Sequence, residues 1–402
     1  MKFKIIDNLK KIVSEEFKFW EVIILLGLTA VVGVSTGGFI VKKNYGISNS
    51  ATISTPLEEF INNYNYIVDN YFGELNEEEL LNGALEGILE EIDDPYAAYM
   101  DETESENFDI ILSGSYRGVG IEVSNLVANG QLIITNIFKN SPAEKAGLHV
   151  GDIVLKLNDE DISEMTSSDF ASRIKKIDDS FILTILRNDE EIKYTISLDT
   201  IVIESVEHTM FEDKIGYIYI SVFANNTYQQ LKDALNLLAK QGMQSLIIDL
   251  RGNTGGYLSS VENILGLFLD SSRVIYQIQD KTGVKKFYSN GKQTVDYEII
   301  LLTNGETASA SEILVAALKE ELGAISVGKK TYGKGSAQKM HTLSDGSKYK
   351  FTTQKWLTPS GKSIDRVGIS VDYDVELDDV YYDSPVHEND NQLQFAIERL
   401  NN

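Results

Sequence analysis

The chain predicts an α+β multidomain protein, with an N-terminal membrane-spanning helix, a helical segment, a mostly β domain and a layered α/β domain following one another. Three observations carry that prediction. Residues 22–41 form an uncharged apolar run, and about 20 such residues span a bilayer core. Short β-branched runs crowd residues 113–199, as strands of a small β domain do. Beyond residue 200, buried-type strands alternate with helical stretches, the texture of an α/β layered fold. At 402 residues and 43% hydrophobic, the chain can bury several cores.

Taken in order, residues 1–21 carry Lys2, Lys4, Lys10, Lys11 and Lys18, against Lys42 and Lys43 just beyond the apolar run. That asymmetry predicts a cytoplasmic N-terminus and an outward-facing bulk. No A-x-A site follows the run and it is longer than a signal-peptide apolar region, so an uncleaved anchor is expected. Residues 42–55 are polar and read as a linker. Residues 56–112 form a helical segment, with Asn76 as N-cap of a second helix and a turn at Asp94-Pro95. Residues 113–199 make the β domain, interrupted by a helix at SSDFASRIKKI. Residues 200–375 make the α/β domain, and residues 376–402 a tail ending in a short helix at QLQFAIERL.

Composition excludes several chemistries. A formal charge of -25 argues against nucleic-acid binding, which needs a basic face. Absence of cysteine removes disulfides, thiolate metal sites and a Cys nucleophile. The four histidines, His149, His208, His341 and His387, are scattered and form no H-E-x-x-H pair, so neither a metal site nor a cofactor is expected. A Ser-His-Asp triad through His341 has no further support in the sequence.

Two stretches stand apart from ordinary core. In TNGETASASEILVAALKE a strand runs through a polar turn into a helix, placing small hydroxyl residues where backbone N–H groups lack partners. Thr307, Ser309 and Ser311 can be N-caps with Glu312 in the first turn, or such a helix start can host an oxyanion. In VGKKTYGKGSAQ, Lys334 lies between Gly333 and Gly335. The span from Gly328 to Lys334 reads as the start of a P-loop, but Gly335 replaces the required hydroxyl residue and strands follow in place of a helix.

At these residues the sequence resembles the carboxyl-terminal processing peptidases, or tail-specific proteases, over about residues 56–375. DDPYAAYM resembles the family's turn before its PDZ domain, and GSYRGVGIEV with SPAEKAGLHVGDIVLKLND resembles the PDZ segments. IIDLRGNTGGYL, TASASEI and TYGKGSAQ resemble the protease core. The resemblance implies a PDZ domain at 113–199 and a crotonase-like α/β serine protease core at 200–375. It places the nucleophile on Ser309, the general base on Lys334 and that lysine's orienting partner on Gln338. The oxyanion hole falls on the N–H of Ala310 with that of Gly255 or Gly256. Gly118, Val119, Gly120 and Ile121 match the carboxylate-binding loop. Lys175 stands near the place of a family arginine, and a lysine cannot reproduce its planar bidentate contact.

The expected protein is therefore a membrane-anchored, single-pass serine endopeptidase with its catalytic part outside the cytoplasm. Its PDZ domain is expected to take protein or peptide C-terminal tails, and by resemblance the chain forms a homodimer through its helical ends. The competing expectations are an inactive membrane-tethered PDZ adaptor and an acyl-CoA-handling protein of the crotonase type.

Overall fold

The computed structural model describes residues 55–126, 130–162 and 164–402. The predicted membrane span at 22–41 and nearly all of the linker lie outside the described residues. Among the described residues no helix is long and apolar enough to cross a membrane. The described residues fall into two units, divided between Ala84 and Leu85.

In the first unit, α1 (Thr55–Asn70) leaves Leu57, Phe60, Ile61 and Ile67 exposed along one stripe. Helix α2 (Glu77–Glu91) starts there and ends in the second unit. Asn76 caps it as the sequence predicts, its side-chain oxygen accepting the N–H groups of Glu78 and Glu79 at 3.1 and 3.4 Å.

The second unit opens with the Asp94 turn, β1 (Ala98–Met100) and α3 (Glu102–Ser113). Asp101 and Glu104 form a capping box on α3, and Gly114 closes it at φ 72°. The β domain follows: β2 (Ser115–Gly118), β3 (Ile121–Asn125), β4 (Leu132–Ile137), α4 (Pro142–Ala146), β5 (Ile153–Leu157), β6 (Glu160–Asp161), α5 (Ser167–Lys175), β7 (Ser180–Arg187) and β8 (Glu190–Ser197). Strands β3-β4-β5-β7-β8 form its sheet, antiparallel throughout, with β6 paired to β5. Leu132, Ile134, Val154, Leu183 and Ile185 point into one core with Phe170 and Ile174 of α5. Strand β2 is not part of this sheet. It pairs antiparallel with β9 (Asp199–Val202), so the two chain segments that enter and leave the domain form one ribbon.

The remaining elements are β10 (Val206–Met210), β11 (Ile215–Ile220), α6 (Thr227–Lys240), β12 (Ser245–Asp249), α7 (Leu258–Phe268), β13 (Val274–Asp280), β14 (Gly283–Tyr288), β15 (Glu298–Thr303), α8 (Ala310–Leu322), β16 (Ile325–Gly328), β17 (Ser336–Thr342), β18 (Lys348–Leu357), β19 (Tyr373–Asp374), α9 (Asp379–Asp383) and α10 (Asn391–Leu400). The central sheet runs β10-β11-β12-β15-β16-β19, parallel from β11 onward. Period-2 alternation sends Leu246, Ile248, Ile299 and Leu301 to the face covered by α6, α7 and α8. It sends Ile247, Ile300 and Leu302 to the face covered by Leu393 and Ala396 of α10. Cover on both faces is why these strands read as continuous hydrophobic runs.

A second sheet, β1-β18-β13-β14 with β17 on β18, is antiparallel. The hairpin β13–β14 was not legible as strand in the sequence, since most of its side chains past Ile278 are exposed and polar or charged.

Candidate active site

The parallel strands end at the loops where the two singled-out stretches lie, the crevice in which open α/β sheets place their chemistry. The loop after β15 shows what each hydroxyl does. Thr307 Oγ1 donates to Leu250 O at 2.9 Å. Ser311, wholly buried, lies 2.8 Å from Asn253 Oδ1 and 2.9 Å from Asn253 O. Both hydroxyls thus tie the loop to the turn after β12. Ser309 stands between them, half-buried, with φ 57° and ψ -119°. A non-glycine residue in that region is strained and persists only where its surroundings fix it.

Glu312 does the fixing. Its carboxylate, wholly buried, accepts the Ser309 N–H at 2.9 Å and the Lys334 N–H at 2.8 Å on Oε2. It accepts the Gly333 N–H at 2.7 Å and the Thr331 hydroxyl at 2.6 Å on Oε1. One side chain therefore joins the Ser309 turn to the Lys334 loop. Burial raises its pKa, and the four donors oppose that rise.

The Lys334 loop is squeezed. A Cβ on Gly335 would come within 2.6 Å of Asp365 N, and one on Gly333, at φ 94°, within 2.7 Å of Gly368 N, so only glycine fits on either side. Trp356 Nε1–H donates to Lys334 O at 2.7 Å. The Lys334 side chain lies with Nζ 5.0 Å from the centre of the Tyr96 ring. Burial, and then the charge of Lys350, push its amine below the usual lysine range, while Asp94 and Glu312 pull it back.

Gln338, on β17, lies opposite Thr352 of β18. Its amide donates to Ser336 Oγ at 2.8 Å and to Thr352 Oγ1 at 3.1 Å, so it is held by two hydroxyls and not by Lys334. Of the two glycines, Gly255 abuts the serine: a Cβ there would lie 3.0 Å from Ser309 Cβ and 3.1 Å from Ala310 N. Its N–H donates to Asn253 Oδ1 at 2.9 Å. Gly256 faces Phe223 on the other side.

The β domain presents a separate groove. Its cavity, about 620 Å³, is lined by Val119, Gly120, Ile121, Phe170 and Ile174, with Ile110 of α3 closing one side. Among the described residues strand β3 pairs with β4 alone, so its other edge is open there for an added strand. Val119 O and Gly120 O accept Ala143 N and Phe138 N at 3.0 Å each, which fixes the Gly118–Ile121 loop. Lys175 pairs with Glu106 of α3 at 2.5 Å.

Sequence reasoning saw Glu312 only as a first-turn acid, and passed over Arg251. The latter's guanidinium bridges the buried carboxylates of Asp249 and Asp390, holding the start of α10 beside the glycine turn. The Ser-x-x-Glu spacing was the available signal for Glu312. Nothing local marks a pairing 139 residues apart.

Residues 214–375 match the family described as Peptidase family S41, residues 109–186 match the PDZ domain, and residues 40–104 match the Activating protease CtpB N-terminal domain. The carboxy-terminal processing protease CtpA of Bacillus subtilis is 33% identical over 357 residues, covering 88% of this chain and 76% of that protein. The carboxy-terminal processing protease CtpB of the same organism is 36% identical over 330 residues, covering 80% and 68%. A solved Bacteroides fragilis protein described as an S41 protease superposes with a TM-score of 0.50 at 17% identity, over 83% of this chain and 91% of that one, which is a likeness of fold alone. Identity to two processing proteases over most of their length, with the α/β layers and the PDZ domain in their order, places the chain in peptidase family S41 as a serine-type C-terminal processing peptidase.

Proposed function

We propose that Ser309 is the nucleophile and Lys334 the general base, and that the PDZ groove selects substrates by their free C-terminal tails. The observation that carries the catalytic reading is the Glu312 carboxylate, which holds the strained Ser309 backbone and the Lys334 backbone on the same oxygen. A structural N-cap needs no such bond to a second loop.

In this reading the neutral Lys334 amine takes the Ser309 hydroxyl proton as Oγ bonds to the scissile carbonyl carbon. The resulting oxyanion is met by the Ala310 N–H and a glycine N–H of the Gly255-Gly256 turn. Collapse breaks the C–N bond, and the Lys334 ammonium returns its proton to the leaving amine. Water, deprotonated by the same amine, then releases the acyl group. Gln338, a neutral amide on the strand that follows the lysine, would orient the amine without stabilising its charged form as a carboxylate would. The base works only when neutral. As pH rises through its depressed pKa, kcat/KM should climb along an alkaline limb centred below the ~10.4 of a free lysine.

The uncharged run at 22–41 supports an uncleaved single-pass anchor, with the peptidase outside the cytoplasm. The apolar stripe on α1 supports a homodimer. The deciding experiment follows cleavage of an unfolded protein by the full chain in detergent. Ser309→Ala and Lys334→Arg should both lose turnover while tail-peptide binding to the groove persists, since arginine stays charged. Turnover in Ser309→Ala equal to the parent would reject the assignment, and no turnover in the parent would favour a binding role.

A further inference from the structure

Lys334 is fixed at its backbone from both sides, by Glu312 at its N–H and by Trp356 at its C=O. Its amine makes neither a hydrogen bond nor an ion pair among the described residues, and rests on the face of Tyr96. The backbone that carries this ring is fixed as well. Asp94 accepts the Tyr96 N–H at 3.1 Å, and on its carboxylate the Thr352 N–H at 2.7 Å and hydroxyl at 3.1 Å. Two residues on, β1 joins β18 with Ala98 opposite Lys350. The turn is thus bolted to the strand that also occupies Gln338 through Thr352 Oγ1.

An aromatic face attracts an ammonium and does nothing comparable for a neutral amine. We propose that Tyr96 is a positioning residue of the catalytic centre: its ring holds Lys334 in the protonated, resting form, and the Asp94–Tyr96 turn sets how readily the lysine becomes a base. The proposal rests on the reading of Lys334 as general base. Around the contact, Lys350 works against the ammonium, and Asp94 and Glu312 work for it. Burial raises the pKa of the phenol, Tyr332, Asp365 and Glu312 add to the rise and Arg366 opposes it, so at neutral pH the ring is uncharged and its face is electron-rich.

The test reads the amine directly. In the full chain in detergent, carrying Ser309→Ala so that turnover plays no part, acetic anhydride labelling at a series of pH values is followed at Lys334 by peptide mass spectrometry. Tyr96→Leu keeps an apolar cover but removes the π face, and should lower the titration midpoint by about half a unit to one and a half units. Tyr96→Phe keeps the face and should titrate with the parent. In the chain with Ser309 intact, the alkaline limb of kcat/KM should move with the midpoint in Tyr96→Leu and stay in place in Tyr96→Phe. Coincident midpoints for Tyr96→Leu and the parent would overturn the proposal, as would a Tyr96→Phe shift equal to that of Tyr96→Leu, which would assign the effect to the hydroxyl. Failure of the general-base reading shows up separately, as retained cleavage by Lys334→Arg.

Discussion

At the start of α8 one buried carboxylate collects four donors from two loops, whereas at the mouth of the PDZ groove Lys175 and Glu106 meet with 44% and 51% of their side chains in water. The two regions differ in what it would cost to move them. A buried, fully satisfied network locks one geometry, because breaking it strands polar groups away from water. An exposed ion pair gains little and gives way easily. Ser309 and Lys334, the proposed catalytic pair, are found on the first kind of support. A groove that must open to a peptide strand is bordered by the second.

Removing the Glu312 carboxylate tests this contrast at its stiff end. Glu312→Ala leaves the Ser309, Gly333 and Lys334 N–H groups and the Thr331 hydroxyl without their shared acceptor. At ~1–3 kcal/mol for each of the four stranded groups, a loss of at least about 4 kcal/mol is expected in urea denaturation, with kcat falling at least a hundredfold. Near-normal kcat in a folded Glu312→Ala would mean that the two loops are aligned by something else.

An intermediate effect is expected within the PDZ fold itself, away from the groove. The Asp152 carboxylate is almost fully buried and meets Arg187 Nε and Nη2 at 2.6 and 2.7 Å. Burial raises its pKa, but the Arg187 hydrogen bonds and the His149 N–H outweigh this and hold it below the usual range. A depressed folded pKa stabilises above the unfolded value of ~3.9, and that contribution is lost as pH falls through the folded value. Asp152→Asn should therefore cost about 2–4 kcal/mol at neutral pH and progressively less on acidification below pH ~4. A cost that does not shrink in acid would assign it to packing.

The same contrast explains what could be read from the sequence. Helix and strand periods at 215–220, 245–249, 298–303 and 310–322 announced the central sheet, because burial on both faces leaves runs that only such strands carry. The hydroxyl cluster at 307–311 and the Gly-Lys-Gly at 333–335 could be singled out because glycine and small polar residues are used where backbones approach closely. What the local pattern did not reveal was partnership. Tyr96 under Lys334, Thr352 on Gln338 and Arg251 on Asp390 are contacts between segments 14 to 238 residues apart, set by how the sheets pack. Lys175 could be located by its likeness to a family position, but its pairing with Glu106 depends on α3 lying along the groove.

That pairing is where the smallest effect should appear. Glu106→Gln removes one charge from a half-exposed contact, so a stability change of about 0.5 kcal/mol or less is expected, within the reach of careful denaturant melts. Because the pair is screened by salt, 1 M NaCl should reproduce most of the effect in the parent and add little in the variant. Binding of a C-terminal peptide to the groove, followed by fluorescence anisotropy, should change by less than about threefold, since the carboxylate is to be held by backbone N–H groups of the Gly118–Ile121 loop and the strand by the open edge of β3. A tenfold tightening would break the comparison. It would mean that α3 is fastened over the groove by this pair and must be released before a tail can enter.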